Sequence, residues 1–331
     1  MSRSKIVFRH ALLQDKQSII DFLNQNWGSH HPLVNREEFF KYYYQNGETI
    51  QFVLALEQKQ IVAVAGYILA NQNLNPDAWV SIWCASGSKN GVGLELMESL
   101  PRLANIHVLA CNNIRPKTMA FYRFLGWHAD RIPHFYRLAD RKNFHLVKNA
   151  AIPCPIPQGS LTLHLVKTSE QLAQLGMPKS DCVPQKDVWY LTRRYFEFPY
   201  QSYDVWAVME QNNFVAYLMT RTVFVPECNT SVLRIVDFIG QPEWFGQLGN
   251  AINQLMQQTN VEYADCYCVG ISADLFAQAG FLERTEDDSI IIPNYLTPPL
   301  WKNTEYYYFT NQPEHFVLFK ADGDQDRPNL N

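Results

Sequence analysis

Alternation and helical spacing divide this chain into two stretches of one design. In the first, residues 6–8 read as a strand, and Asp15 stands before a helical face of Ile19, Ile20, Phe22 and Leu23. Residues 36–45 read as a second helix, dense in Phe39, Phe40, Tyr42, Tyr43 and Tyr44, an aromatic set suited to packing. Residues 51–57 and 61–69 predict a hairpin across the polar turn Gln58-Lys59-Gln60. Residues 79–84 form an apolar run with the character of an interior strand. After the turn 86–91, apolar Val92, Leu96, Leu100 and Leu103 set one face of a helix against a sheet. A strand at 107–111, a helix at 117–124 and a closing hairpin from 131–138 and 144–147 complete the order β-α-α-β-β-β-α-β-α-β.

Residues 149–160 carry three prolines and a glycine without apolar periodicity, which predicts a stiff linker. The same order then recurs. Strands are predicted at 161–166, 204–209, 214–220, 233–238 and 261–268, and helices at 169–175, 187–198, 245–258 and 271–281. Ala55 corresponds to Ala207 and Gly126 to Gly280, an internal repeat of about 150 residues. The expected organisation is therefore a domain over 1–148, a linker over 149–160, a second domain over 161–319 and a tail over 320–331. A hydrophobic fraction of 47% over 331 residues fills two such cores.

The turn between residues 84 and 93 is where chemistry is expected. A strand, a turn bearing Gly87 and Gly91, and a helix opened by Gly93 make an anion site, because unpaired backbone N–H groups and the positive end of the helix dipole converge there. Ser88-Lys89-Asn90-Gly91-Val92-Gly93 resembles the pyrophosphate loop of the GCN5-related N-acetyltransferases, Q/R-x-x-G-x-G/A, with Ser88 in place of Gln or Arg. Residues 113–127, NIRPKTMAFYRFLGW, resemble the later segment of that family. There an Asn precedes a helix ending in Tyr-x-x-x-Gly-Phe, and Tyr122, Gly126 and Trp127 fill those places here.

The resemblance covers residues 5–148 well and 160–300 loosely. It implies an α/β (α+β) fold of two tandem domains, each a mixed, mainly antiparallel twisted sheet flanked by helices. It further implies acetyl transfer from acetyl-CoA to an amine, with no metal. The pyrophosphate would rest on the amides of Ser88, Lys89, Asn90, Gly91, Val92 and Gly93, near Asn113. The pantetheine arm would pair along Trp83, Cys84 and Ala85, and Tyr122 would protonate the leaving thiolate. His30 and His31 lie in the loop that borders the acceptor pocket of the resembled family. Both are candidates for general base or acceptor contact, with a plain surface loop as the alternative. Glu57 and a water relayed to a carboxylate are further candidates for the base.

The second stretch differs where that chemistry would sit. Its loop reads Gly240-Gln241-Pro242-Glu243, with a proline that donates no N–H and an acid that repels phosphate, and Phe276 replaces the tyrosine. This half is expected to have lost the cofactor. Asp237 and Asp265 fall within apolar strands, so they either bind hydroxyls or an amine of the acceptor or pair with Arg234, Arg193 or Arg194.

A net charge of −4 without a basic run argues against nucleic acid as a partner, and no apolar run approaches membrane-spanning length. Seven scattered cysteines suit a reducing, cytoplasmic setting. The acceptor expected is a small-molecule amine, with an amino sugar favoured because aromatic rings stack on sugar faces; the protein would act as a monomer or homodimer. An aminoacyl transferase of the same fold and a non-catalytic CoA-binding scaffold are the alternatives. The tail, Asp322-Gly-Asp-Gln-Asp326-Arg327, lacks the Glu of a calcium loop. It is expected to be solvated, with folding of Asp322 and Arg327 onto a ligand as the alternative.

Overall fold

A computed structural model describes residues 5–28, 31–87, 91–150, 153–285 and 289–328. The first half contains β1 (Ile6–Leu12), α1 (Lys16–Asn26), α2 (Pro32–Asn35), α3 (Glu37–Tyr44), β2 (Gln45–Asn46), β3 (Thr49–Glu57), β4 (Gln60–Leu69) and β5 (Ala78–Ala85). It continues through α4 (Val92–Leu103), β6 (Leu109–Asn112), α5 (Met119–Phe124), β7 (His128–Ile132) and β8 (His134–Leu138). The second half comprises β9 (Thr162–Val166), α6 (Ser169–Leu175), α7 (Val188–Leu191), β10 (Asp204–Glu210), β11 (Asn213–Val225), β12 (Thr230–Gly240), α8 (Glu243–Gly246) and α9 (Gly249–Gln258). After these come β13 (Val261–Val269), α10 (Ala273–Gln278), β14 (Leu282–Arg284), β15 (Tyr306–Thr310) and β16 (Leu318–Phe319).

Among the described residues these strands make two mixed, mainly antiparallel sheets. One runs β1-β3-β4-β5-β6-β15-β7 and the other β14-β8-β13-β12-β11-β10-β9. The β3–β4 hairpin closes through Gln58 and Lys59, both at positive φ (48° and 70°), the twist that a two-residue turn needs to match its strands. Gly126 and Gly280, at φ 78° and 85°, end α5 and α10 in the same way. Trp127 N–H bonds the Tyr122 carbonyl and Phe281 N–H the Phe276 carbonyl, so the repeat extends to the helix caps.

Compact units divide the chain differently from the expected 1–148 and 161–319. One unit holds residues 1–129, 308–313 and 323–331; the other holds 130–307 and 314–322. The cause is strand placement. β8 pairs antiparallel with β13, from Tyr263↔Leu138 to Tyr267↔His134, whereas β15 pairs with β6 at Phe309↔Cys111. β8 of the first repeat thus lies in the second sheet, and β15 of the second repeat lies in the first.

Three local expectations are corrected. Residues 144–147 are not a strand, because the buried Glu262 carboxylate accepts the N–H groups of His145, Leu146 and Val147 and leaves none for a ladder. Asp15 does not cap α1 through its side chain; its carboxylate takes Arg9 at 2.6 and 2.8 Å and, at the head of the 3-10 turn Leu13–Asp15, the Leu12 N–H at 2.7 Å. The tail is not solvated: Asp322, Asp324 and Asp326 are 0%, 5% and 7% exposed.

Candidate active site

Within the first unit, the parallel register of β5 with β6 is held at Ala78↔Leu109 and Trp79↔Ala110. Two residues later the ladder between β5 and β4 slips. Val80 faces Tyr67 and Ile82 faces Gly66, so Ser81 is an extra residue, a bulge. A bulge bends and twists its strand, and here β5 turns away from β6. The edge of β5 from Ser81 to Ala85 is left without a ladder partner among the described residues.

That edge leads to the N-terminus of α4. Gly91 stands at its N-cap at φ 86°, a left-handed conformation that favours glycine. Ser88, Lys89 and Asn90 lie outside the described residues. Gly93 serves packing: a Cβ there would sit 3.0 Å from the Ala85 Cβ, and the Trp83 indole N–H donates to the Gly93 carbonyl at 3.0 Å. Val92 is buried in the same turn. Burial pushes the Cys84 thiol up to about 11, so it stays protonated at neutral pH.

Tyr122 is buried in an aromatic nest. Its ring stacks on Phe309 at 4.1 Å and on Trp127 at 6.3 Å, and leans on Trp83 at 5.8 Å. Burial, with a smaller push from nearby Cys111, raises its pKa strongly, so the phenol keeps its proton for a strong base. Asn113, in the left-handed region at φ 64°, donates to the Gln325 side chain at 3.2 Å.

His30 lies outside the described residues. His31 caps α2: its Nδ1 accepts the Leu33 N–H at 3.3 Å, which leaves the proton on Nε2. The ring packs on Trp27 with centroids 4.4 Å apart. Burial first, then the Arg327 charge, brings its pKa down to about 4. At neutral pH His31 is therefore an uncharged hydrogen-bond donor. Glu57 closes β3 opposite Gln60, at the hairpin turn.

The C-terminal segment supplies residues that patterning did not mark as part of the site. Gly323 lies against Trp79, where a Cβ would stand 3.3 Å from the Trp79 Cβ. Asp324 hydrogen-bonds with Ser81, whose hydroxyl also meets the Tyr44 hydroxyl at 2.7 Å. The bulge, α3 and the chain's end thus converge beside the parted strands.

No known family pattern matches the sequence, and no curated protein matches it. Solved structures do. A GCN5-related N-acetyltransferase from Anabaena variabilis superposes with a TM-score of 0.56 at 13% identity, over 92% of this chain and 72% of that one. The chain has the GCN5-related N-acetyltransferase fold. A conserved protein from Enterococcus faecalis V583 gives 0.55 at 11% identity, over 93% and 72%. A GCN5-related N-acetyltransferase from Kribbella flavida gives 0.50 at 11%, over 93% and 71%.

The second unit repeats the N-acetyltransferase frame and fills its opening. β12 pairs with β13 up to Ile235↔Cys266, and Val236 is then the extra residue against β11. The gap beyond is occupied by the chain itself. Leu318 and Phe319 pair with β13, and the Ala321 N–H donates to the Val236 carbonyl at 3.0 Å. A cavity of about 220 Å³ remains beside Cys182, Lys186, Gly240, Pro242 and Val317. That is below the ~300 Å³ at which small-molecule pockets begin.

Asp237 and Asp265 are both interior and both partnered. Asp237 takes Lys186 at 2.7 Å through each oxygen and the Tyr195 hydroxyl at 2.6 Å. Asp265 takes Arg234 at 3.2 Å and His134 at 3.4 Å. Arg234 was among the expected partners; Lys186 was not, because it approaches from a loop 51 residues away. Lys186 also meets Asp322 at 2.7 Å. Burial, with the neighbouring Asp237 charge, outweighs Lys186 and leaves Asp322 pushed up to about 6. Among the described residues no group of three His, Cys, Asp or Glu could hold a metal ion, and no helix is long and apolar enough to cross a membrane.

Proposed function

We propose that the first unit is an acetyl-CoA-dependent N-acetyltransferase working by direct transfer to a small amine, with an amino sugar as the favoured acceptor. The observation that carries this is the bulge at Ser81, immediately after the last parallel pair, which opens β5 toward the N-terminus of α4. An extended pantetheine arm adds to such an edge as a strand does, through main-chain hydrogen bonds. Its pyrophosphate meets the unpaired N–H groups of the first turn of α4. A backbone N–H on the β5 edge polarises the acetyl carbonyl and steadies the oxyanion that forms under attack. Tyr122, held protonated by its aromatic nest, donates to the departing thiolate. The second unit keeps the frame without this role, since its opening is closed by Leu318–Phe319 and Ala321.

The test is calorimetric titration of the full chain with acetyl-CoA, beside Gly91→Asp. Open space surrounds a Cβ at this position, so the variant folds at the ~1–2 kcal/mol strain of a left-handed residue while it places an anion in the turn. One site per chain, weakened at least about tenfold in the variant, is expected. Two sites would return the second unit to cofactor binding. No binding would favour the scaffold reading.

A further inference from the structure

We propose that the second unit carries a binding site for a small organic anion, a carboxylate or phosphate on an apolar body, with Arg137 as the cation that holds it. The site does not depend on the reaction proposed for the first unit.

Arg137 stands on β8 two places after Phe135, so strand alternation turns both side chains to one face. Phe135 suits that face and stacks on Phe276 at 3.6 Å. A guanidinium does not, yet Arg137 is only 7% exposed. It donates to the Asn253 side chain at 2.9 Å and to the Ala279 carbonyl at 3.3 Å, both neutral, and its buried Nε has no partner. Among the described residues no carboxylate pairs with it. Cys154 lies close by, but burial pushes that thiol up and keeps it protonated at neutral pH. A buried cation without a counter-charge is costly, so the position calls for an anion from outside.

The seat of this charge is particular to the second unit. Nη1 lies against the backbone of Gly280, where a Cβ would come within 1.7 Å of it. At Gly126, the matching glycine of the first repeat, a Cβ would meet nothing within 4 Å.

A cleft of about 420 Å³ opens beside the guanidinium, lined in part by Arg137, Arg141, Phe144, Cys154, Ile156 and Asn253. Small-molecule pockets occur at this volume. A second cleft of about 640 Å³ shares Arg141 and Asn253 and adds Lys142. Arg141 also bonds neutral acceptors: the Asn260 side chain and the Val261 carbonyl at 3.1 Å each, and the Asn260 carbonyl at 3.4 Å. In the two linings Arg137, Arg141 and Lys142 stand against a single acid, Asp140, so the balance is positive. The linker wall is poor in donors, because Pro153, Pro155 and Pro157 have no N–H. Phe144 and Ile156, the latter 84% exposed, offer apolar surface to the body of a ligand. The planar N–H groups of a guanidinium match the paired oxygens of a carboxylate or phosphate.

The experiment titrates the full chain with phenyl phosphate and with benzoate at constant ionic strength, following heat and the thermal unfolding midpoint. Benzyl alcohol is the uncharged control. Arg137→Met removes the charge, whereas Asn253→Asp leaves the guanidinium in place and gives it a fixed carboxylate. At least one of the anions should bind the unaltered chain with a Kd on the order of 1 mM or below and raise its midpoint. Both variants should weaken that binding by about tenfold or more. Without added anion, Asn253→Asp should unfold at a higher temperature than the unaltered chain, because the buried charge then has a partner. Undiminished binding by the variants would put the anion elsewhere on the chain and overturn the assignment. So would equal binding of benzyl alcohol, no binding of either anion by the unaltered chain, or an Asn253→Asp midpoint no higher than that of the unaltered chain. Should Arg137→Met fail to fold, Asn253→Asp decides alone. A preference for phenyl phosphate would mark the ligand as a phosphate, and a preference for benzoate as a carboxylate.

Discussion

His134 is enclosed on every side. Its ring lies flat on Tyr267 at 3.9 Å, Arg284 donates to Nδ1 at 3.3 Å, and Nε2–H donates to Asp265 at 3.4 Å. That tautomer leaves no room for a second proton, which would face the guanidinium. Burial drives the pKa down to about 4, and the pull of Asp265 does not reverse it. Unfolded, the imidazole titrates near 6.5, so between pH 6.5 and 4 the unfolded chain binds more protons than the folded one. The stability carried by neutral His134 is complete above about pH 6.5 and falls as pH drops through that window, by at most about 3 kcal/mol. Urea unfolding of the protein at pH 7, 5.5 and 4.5 should show this decline. His134→Gln, less stable throughout, should show a shallower one. Individual residues of this kind were half legible: Asp265 announced itself as a carboxylate in an apolar strand, but its histidine partner sits 131 positions away.

At the scale of elements, β3, β4 and β5 were readable as nearly continuous apolar runs, because β3 and β4 are buried on both faces. The central crossing is tight. A Cβ on Gly66 would stand 2.6 Å from the Phe52 ring, which itself stacks on Phe40 with centroids 6.0 Å apart. Gly66→Ala should therefore lower stability by about 1–3 kcal/mol. Gly66→Ala/Phe52→Leu should lose less than the two single changes added together, because the smaller side chain vacates the clash; chemical denaturation of the three variants measures both. What resisted reading were elements set by distant groups. Residues 187–198 look like one helix, yet α7 ends at Leu191 and Thr192–Phe196 widens into a π turn. Arg194 is buried there and donates to the Ala321 carbonyl at 2.9 Å. Likewise, Asp-rich composition made the tail look solvated, since nothing local reveals that Ser81 and Lys186 await it.

For the molecule as a whole, the repeat was visible in matching glycines and helix caps, whereas the placement of β8 and β15 was not. Strand pairing is a long-range choice, and an apolar strand carries no mark of the sheet it will join. The division has a direct test. Expressed alone, residues 1–148 would lack residues 308–313 and 323–331, both part of the first compact unit, and would leave β6 without β15 and β8 without β13. That fragment should fail to give a cooperative unfolding transition by circular dichroism, whereas the full chain should give one. A well-folded fragment would show that β8 can close the first sheet by itself.

The position of β15 also sets a timetable for the ribosome. The first sheet's β6 has no partner on its outer edge until Tyr308–Thr310 have been made, although β6 itself ends at Asn112. At roughly 5–20 residues per second, the nascent chain carries that bare edge for on the order of 10–40 seconds. Folding of the first sheet therefore waits for residues 308–310, and a chain cut short of them yields no finished sheet.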